Sequence, residues 1–283
     1  LQYSTVLSAF YCIISTVTVQ EQLIKGADLI YEHFKKFGLM MHVGENDIVS
    51  KTEVMHFPAD LNKKNLTTEK TVQIKHGNLK ITNNFKYLGV NITNDIKDNK
   101  EVSKRIQKAM SQIGALKPFF KNRLISVQAK HRIYLAIPVS TLLWGSESWS
   151  LNEENTRMLL AFQHKTIRWI LGINLEEVQY YKITNKMIRK QFYNIPKITE
   201  IIQKRQTNWI GDIAKMPHDR LPRKLLAAWV PNPRKSGRPQ VTYRDSFRKC
   251  IVNLIPNINP NLPLSTWIDF AASPEWKKLR DVW

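Results

Sequence analysis

The sequence predicts an α+β fold that is mostly helical: a small antiparallel sheet, an antiparallel helical bundle, and a basic, partly irregular C-terminal helical region. Three observations predict it. Short runs rich in Val, Ile, Phe and Tyr, separated by Gly/Asn turn residues, crowd the first 95 positions. From Asp98 to Gly172, apolar residues recur at spacings of three and four with short breaks. Beyond Gly172, helical stretches are interrupted by a segment dense in Pro, Arg and Lys. The expected domains are therefore 1–95, 96–175 and 176–283.

Leu1–Gln20 carries no charge. Ser4, Thr5, Ser8, Ser15, Thr16 and Thr18 break it, and it has neither a basic leader nor a small-x-small cleavage site. A bilayer span needs ~20 mostly apolar residues. Buried strands are the better account. The opening residue is Leu1 rather than Met, as expected of a piece of a longer chain. Gln22–Phe37 is expected to be an amphipathic helix, with Leu23, Ala27, Ile30, Phe34 and Phe37 on one face and Gly38 ending it. Val43–Phe57 is expected as a loop feeding a short strand, and Asp60–Lys70 as a polar loop. Thr71–Ile81 and Phe85–Thr93 are expected as two strands joined near Thr82-Asn83-Asn84. His76-Gly77-Asn78 is a turn signal that makes the first of them a hairpin in the alternative reading.

From Asp98 the period becomes helical. Val102, Ile106, Ala109, Met110 and Ile113 form the expected apolar face, with Lys104, Arg105 and Lys108 off it. Pro118 marks that helix's end. A second helix is expected over Ser126–Trp144, kinked or divided by Pro138. Asn152 is a cap for a third, Glu153–Leu171, closed by Gly172. Ile183–Tyr193 and Thr199–Ala214 look helical. Met216–Pro239, with five prolines, does not. Gln240–Ile255 is a further helix, Asn257–Leu264 a linker, and Trp267–Arg280 holds a last short helix.

The formal net charge of +20 is unevenly spread. Residues 1–60 hold four Lys and seven acids, a balance of −3; the remainder holds 39 basic and 16 acidic residues, a balance of +23. A field of that sign attracts polyanions, of which nucleic acid is the commonest large one. An anionic membrane surface, or solubility alone, is the plainer alternative. Basic and aromatic residues are interleaved, which favours nucleic acid over both. Cys12 and Cys250 are the only cysteines, which excludes a disulfide framework and fits a reducing, intracellular compartment. His33, His42, His56, His76, His131, His164 and His218 form no metal-ligand spacing. Each is read as structural or as a surface residue.

The order of segments carries more than any one motif. A helix ending in Lys35-Lys36-Phe37-Gly38 leads to Ser50-Lys51-Thr52-Glu53-Val54-Met55. Next come Phe85-Lys86-Tyr87-Leu88-Gly89-Val90-Asn91-Ile92 and basic helices through Leu143-Trp144-Gly145-Ser146-Glu147-Ser148-Trp149. Over roughly residues 22–250 this order resembles the late palm, thumb and post-thumb region of non-LTR (LINE-like) retrotransposon reverse transcriptases. The resemblance implies part of an RNA-directed DNA polymerase. Its partners would be RNA and DNA, as RNA–DNA duplex and target DNA, with no membrane. Its location would be the nucleus, by way of the cytoplasm.

Polymerases of this kind hold two metal ions on carboxylates, usually two adjacent aspartates. In the resembling family that pair lies just before the helix placed here at Gln22–Phe37. Ser4 through Val19 contains no acid, and no two aspartates are adjacent anywhere in the chain. Glu153-Glu154 and Glu176-Glu177 lie elsewhere and are read as solvated helix faces. No catalytic or metal-binding residue is therefore assigned and no cofactor is expected in this chain. Mg2+ belongs only to an intact polymerase, and the chain is expected to be inactive by itself.

The resemblance places Lys51 near an incoming nucleotide, where a lysine offsets leaving-phosphate charge; the plain alternative is a loop lysine beside Glu53. Phe85-Lys86-Tyr87-Leu88-Gly89 resembles the primer-grip hairpin, against a plain core strand. Thumb helices hold a duplex by its backbone. Lys86, Lys104, Arg105, Lys108, Lys117, Lys121, Arg123, Lys130, Arg132, Lys165 and Arg168 are the candidate phosphate contacts, and Trp144, Trp149 and Trp169 are assigned to packing. Trp209-Ile210-Gly211-Asp212 resembles a post-thumb segment in which His commonly follows Trp-Ile-Gly. Arg234-Lys235-Ser236-Gly237-Arg238-Pro239 matches that region's basic Gly-Arg-Pro. Arg234, Lys235 and Arg238 are candidates there, as a flexible basic linker in preference to a minor-groove reader. The alternatives to a polymerase grip are a non-enzymatic remnant or domesticated nucleic-acid-binding protein, and a helical protein-interaction module with incidental charge.

Overall fold

In the computed structural model, residues 20–44, 50–55, 71–95, 97–227 and 264–276 are described. The strands expected in Leu1–Val19, the loop at Asp60–Lys70, the Arg234–Pro239 segment and the helix at Gln240–Ile255 lie outside them. Two compact units divide the chain, Leu1–Lys97 and Asp98–Trp283. The fold is α+β and mostly helical, as the periodicities predict.

The first unit begins with α1, Gln20–Lys36. Gly38, at φ 70°, ends it in the left-handed conformation that a helix C-cap favours, and Leu39 N donates to Phe34 O at 2.8 Å. α1 packs on the edge of a three-stranded sheet of order β1-β3-β2, with β1 at Glu53–Val54, β2 at Thr71–Ile74 and β3 at Gly77–Ile81. β2 and β3 are the antiparallel hairpin that His76-Gly77-Asn78 signalled, and β1 joins β3 in parallel. Val72, Ile74 and Leu79 are buried, as period-two alternation requires. α1 grips the hairpin turn through polar groups: Lys75 N donates to Asp28 Oδ1 at 3.0 Å, and His76 stacks on Tyr31 beside Glu32.

Phe85–Thr93 is not the single strand expected. It is a second hairpin, β4 (Asn84–Tyr87) against β5 (Val90–Thr93). Leu88 and Gly89, at φ 46° and 85°, form its two-residue turn. Two consecutive positive φ values match the twist of antiparallel strands, and Gly at the second position lowers the strain of the turn. The core-strand reading fails with it, because Leu88 stands exposed.

The second unit is helical. α2 spans Asn99–Ala115 and α3 Lys117–Lys121. Pro118 stands in the first turn of α3, where its missing N–H has no role, so it opens a helix as well as following one. Ser126 caps α4 (Val127–Tyr134) by accepting from Ala129 N at 3.2 Å. Pro138 does divide the second expected helix: Leu135–Val139 widens into a π turn before α5, Ser140–Leu142. α6 (Glu153–Leu171) has the predicted bounds, with Asn152 accepting from Asn155 N at 2.7 Å and Gly172 left-handed at φ 78°.

A short α7 (Leu175–Tyr180), unread in the sequence, starts at a capping box between Asn174 and Glu177. α8 (Asn185–Gln191) and α9 (Ile198–Ala214) come next. Leu221–Ala227 is helical, α10, against the irregular structure expected there. Its Pro222 stands in the first turn, where proline is tolerated. Leu264–Ala272 is α11.

One core joins α2, α4, α6, α8 and the start of α9 through Val102, Tyr134, Leu159, Ile167, Phe192 and Ile198. The residues expected as a separate C-terminal region from 176 thus share the bundle's interior. A second core gathers Ile210, Ala214, Trp267, Ile268, Ala271 and Trp276. Gly211 explains itself there. A Cβ on it would stand 2.6 Å from Trp276 Nε1, so only glycine admits the indole. Among the described residues, no helix is long and apolar enough to cross a membrane.

Candidate nucleic-acid interface

Helix periodicity decides which of the candidate cations reach solvent. On α2 the buried stripe is Val102, Arg105, Ala109 and Ile113, rotated from the face expected, and Met110 is exposed. Arg105 therefore stands within the stripe, at spacings of three and four from its apolar neighbours. It is only 5% exposed, and its Nε lies 2.5 Å from Oε1 of the equally buried Glu101. A guanidinium neutralised by a carboxylate inside the bundle is no phosphate contact, and Arg105 leaves the candidate set. The sequence carried the signal in its Glu-x-x-x-Arg spacing, which places the two side chains one turn apart.

Lys104 is half-buried on α2 and Lys108 exposed. Lys130 is 9% exposed, while Arg132 on the same helix is open to solvent. Lys51 is exposed just before β1, and its expected neighbour Glu53 is taken by Lys80 at 2.7 Å. Lys86 is exposed on β4. Arg234, Lys235 and Arg238 lie outside the described residues. Among the tryptophans, Trp149 is buried and Trp169 half-buried. Trp144 is 55% exposed, against the packing role expected of it, because Leu142 and Leu143 fill the interior at that turn.

Lys165 and Arg168 are placed best. Both belong to α6, Lys165 exposed and Arg168 half-buried in its last turn. A cation there is favoured by the carbonyl end of the helix whatever its function. A second guanidinium beside it is not explained that way. Arg189 of α8 donates from Nη1 to His164 Nε2 at 3.0 Å. Arginine cannot accept, so Nε2 is the bare nitrogen and the proton sits on Nδ1. Desolvation, Arg189 and Arg168 together hold the His164 pKa below its ordinary 6.5, so the imidazole is neutral at pH 7.

Among the described residues, no carboxylate pairs with Lys165, Arg168 or Arg189. Lys121 adds a further cation at the same helix end. Its Nζ donates to Trp169 O at 2.7 Å and lies 4.5 Å from the centre of the Trp169 ring. No protein-family model, curated protein or solved structure matches this chain.

The chemistry of the cluster is suited to an anion. Each guanidinium offers a planar fork of donors matched to phosphate oxygens, and only one of Arg189's donors is spent on His164. Sequence reading found Lys165 and Arg168 and missed two members. His164 was legible as the residue four before Arg168, hence one turn away on the same face. Arg189 had no local signal, since only packing of α8 on α6 brings it there. Among the described residues, no group of three or more His, Cys, Asp or Glu is placed to hold a metal ion.

Behind this surface, polar ties fix the helices. Gln163 is wholly buried; its Nε2 donates to Pro196 O at 2.8 Å and its Oε1 accepts from Ile198 N at 3.0 Å, which seats the start of α9 on α6. The Trp144–Trp149 turn is held to α9 by Arg205 on Glu147 at 2.8 Å. Gln206 Nε2 reaches the carbonyls of Ser146 and Trp149 at 3.1 and 2.8 Å. Such satisfied buried amides specify one register of the helices.

Proposed function

We propose that this chain is the nucleic-acid-gripping portion of an RNA-directed DNA polymerase of the non-LTR retrotransposon kind, holding primer–template duplex and target DNA by their backbones. The observation that carries the reading is the unneutralised set of Lys165 and Arg168 on α6 with Arg189, which α8 brings to His164. Like charges brought together without a carboxylate repel, and a polyanion relieves that repulsion while supplying oxygens to the free donors. The order of segments supports the polymerase assignment: helix, short strands, the hairpin at Leu88-Gly89, then basic helices. The absence of adjacent aspartates from the sequence supports a binding role without synthesis.

Fluorescence anisotropy with a labelled RNA–DNA hybrid at low salt tests the reading. The wild-type chain should bind. The triple charge reversal K165E/R168E/R189E should weaken binding about tenfold or more, and equally for unrelated sequences, because backbone contacts carry no base information. Undiminished binding by the reversed protein, or no binding by the wild type, overturns it. Primer extension by this chain with Mg2+ should yield no product.

A further inference from the structure

At the junction of α7 and α8, the chain displays two aromatic rings that no core claims. α7 ends at Tyr180, and Tyr181 is its C-cap. Their exposures are 81% and 67%. Tyrosine buries a large apolar face when a core has room, and here the interior is taken by other residues of the same turn. Ile183 packs against the main core, and its N–H donates to Val178 O at 3.0 Å. Lys182, in the left-handed conformation at φ 49°, swings the chain from α7 into α8. The two tyrosines are left at the apex, edge to face with ring centres 4.9 Å apart.

The charges around them are basic. Lys182, Lys186 and Lys190 are exposed. Lys186, Arg189 and Lys190 are spaced three and four apart on α8, so they share one face that runs to the cationic cluster. Of the two acids in this stretch, Glu177 is spent on the α7 cap, where its Oε2 accepts from Asn174 N at 2.8 Å, and Glu176 stays exposed in the first turn.

We infer that Tyr180 and Tyr181 form a stacking platform for unpaired bases, so that the α7–α8 segment takes a single-stranded nucleic acid whose phosphates lie along Lys186, Arg189 and Lys190. Exposed aromatic rings flanked by lysines are how sequence-tolerant single-strand binders work, since every base has a π face and every nucleotide a phosphate. A duplex keeps its bases stacked internally and offers these rings nothing. The inference rests on the nucleic-acid reading above and adds to it a distinct substrate, the unpaired strand that adjoins a duplex.

The test compares labelled oligo(dT) and oligo(U) with a blunt RNA–DNA hybrid, using the full chain and anisotropy. The double substitution Y180A/Y181A should weaken single-strand binding about tenfold or more and leave the hybrid unchanged. Y180F/Y181F, which keeps both rings, should retain wild-type affinity. Both pairs are at the surface, so an unshifted thermal melt confirms that the fold persists. Equal losses on both ligands, or single-strand affinity unchanged in the alanine variant, overturns the platform. If the wild type binds neither ligand at low salt, the nucleic-acid reading itself fails. If it binds the hybrid but not the single strands, only the platform fails.

Discussion

At single residues, the structure turns the same chemical change into opposite outcomes. Gly211 and Gly114 both stand in helices, where alanine is intrinsically favoured by up to about 1 kcal/mol. At Gly114 nothing lies within 4 Å of a new Cβ, so G114A should stabilise the helical unit by a few tenths of a kcal/mol, the site being near the end of α2. At Gly211 the Cβ would meet Trp276 Nε1 at 2.6 Å and Cδ1 at 2.8 Å, and that indole is wholly buried with its N–H on Thr207 O at 3.3 Å. G211A should therefore destabilise by about 1–3 kcal/mol despite better helix propensity. Urea unfolding of the two variants checks the pair, and equal signs would refute the packing account. His164 gives a pH signature. Its pKa is lowered in the folded chain, so between that value and the ordinary 6.5 the unfolded state holds more protons, and stability falls as pH falls through this window. A phosphate at Arg168 and Arg189 acts in the other direction, because its charge favours the imidazolium. Affinity for the hybrid should thus rise as pH is lowered from 8 to 6. H164Q, which can still accept from Arg189, should flatten the rise. An unflattened profile places the phosphate elsewhere.

At the level of elements, local chemistry sets what can be read. α6 is legible to the residue because both ends announce themselves, Asn152 by its amide cap and Gly172 by its left-handed turn. α10 is not, because a count of prolines ignores position, and Pro222 stands in a first turn that tolerates it. Its anchoring is further from sight. Arg223 donates to the carbonyls of Ala214 and Met216 at the end of α9, and it faces Asp269 of α11 at 3.7 Å. The Phe85–Thr93 hairpin escapes the periodicity, and only the resemblance of Phe85–Gly89 to a primer-grip hairpin points to it, because Leu88 is an unusual residue for a positive φ and no Asn-Gly pair marks the turn. The buried Arg105 escapes it because a helical face placed about one position out carries a cation from core to solvent. The α6 cap also makes a prediction. Asn152 accepts from Asn155 N and donates through Nδ2 to Asn99 Oδ1 at 2.9 Å, joining the starts of α2 and α6. N152A should cost about 1–2 kcal/mol in urea unfolding. N152D keeps the acceptor for Asn155 N but sets an oxygen against Asn99, so its loss should be smaller. A neutral N152A would refute the contribution of the cap and its tie to Asn99.

For the whole molecule, charge and site must agree in number. The chain beyond residue 60 carries +23, yet most such cations are solvated and bind nothing specifically. Salt dependence separates the diffuse field from the contacts. Each phosphate neutralised on a duplex releases counterions, so log K falls linearly with log salt at a slope of about −0.9 per contact. If Lys165, Arg168 and Arg189 each neutralise one phosphate, the neutral triple variant K165Q/R168Q/R189Q should lower the magnitude of that slope by about 2.7. Removing three exposed lysines that are not among the candidate contacts, Lys100, Lys215 and Lys224, should change the slope far less while reducing the net charge equally. Equal reductions from the two triples would mean that the field alone binds, and the cluster would lose its standing as a site. A large reduction from the first triple only would tie the cation-rich composition to one end of α6 and to the Arg189 that packing of α8 delivers there.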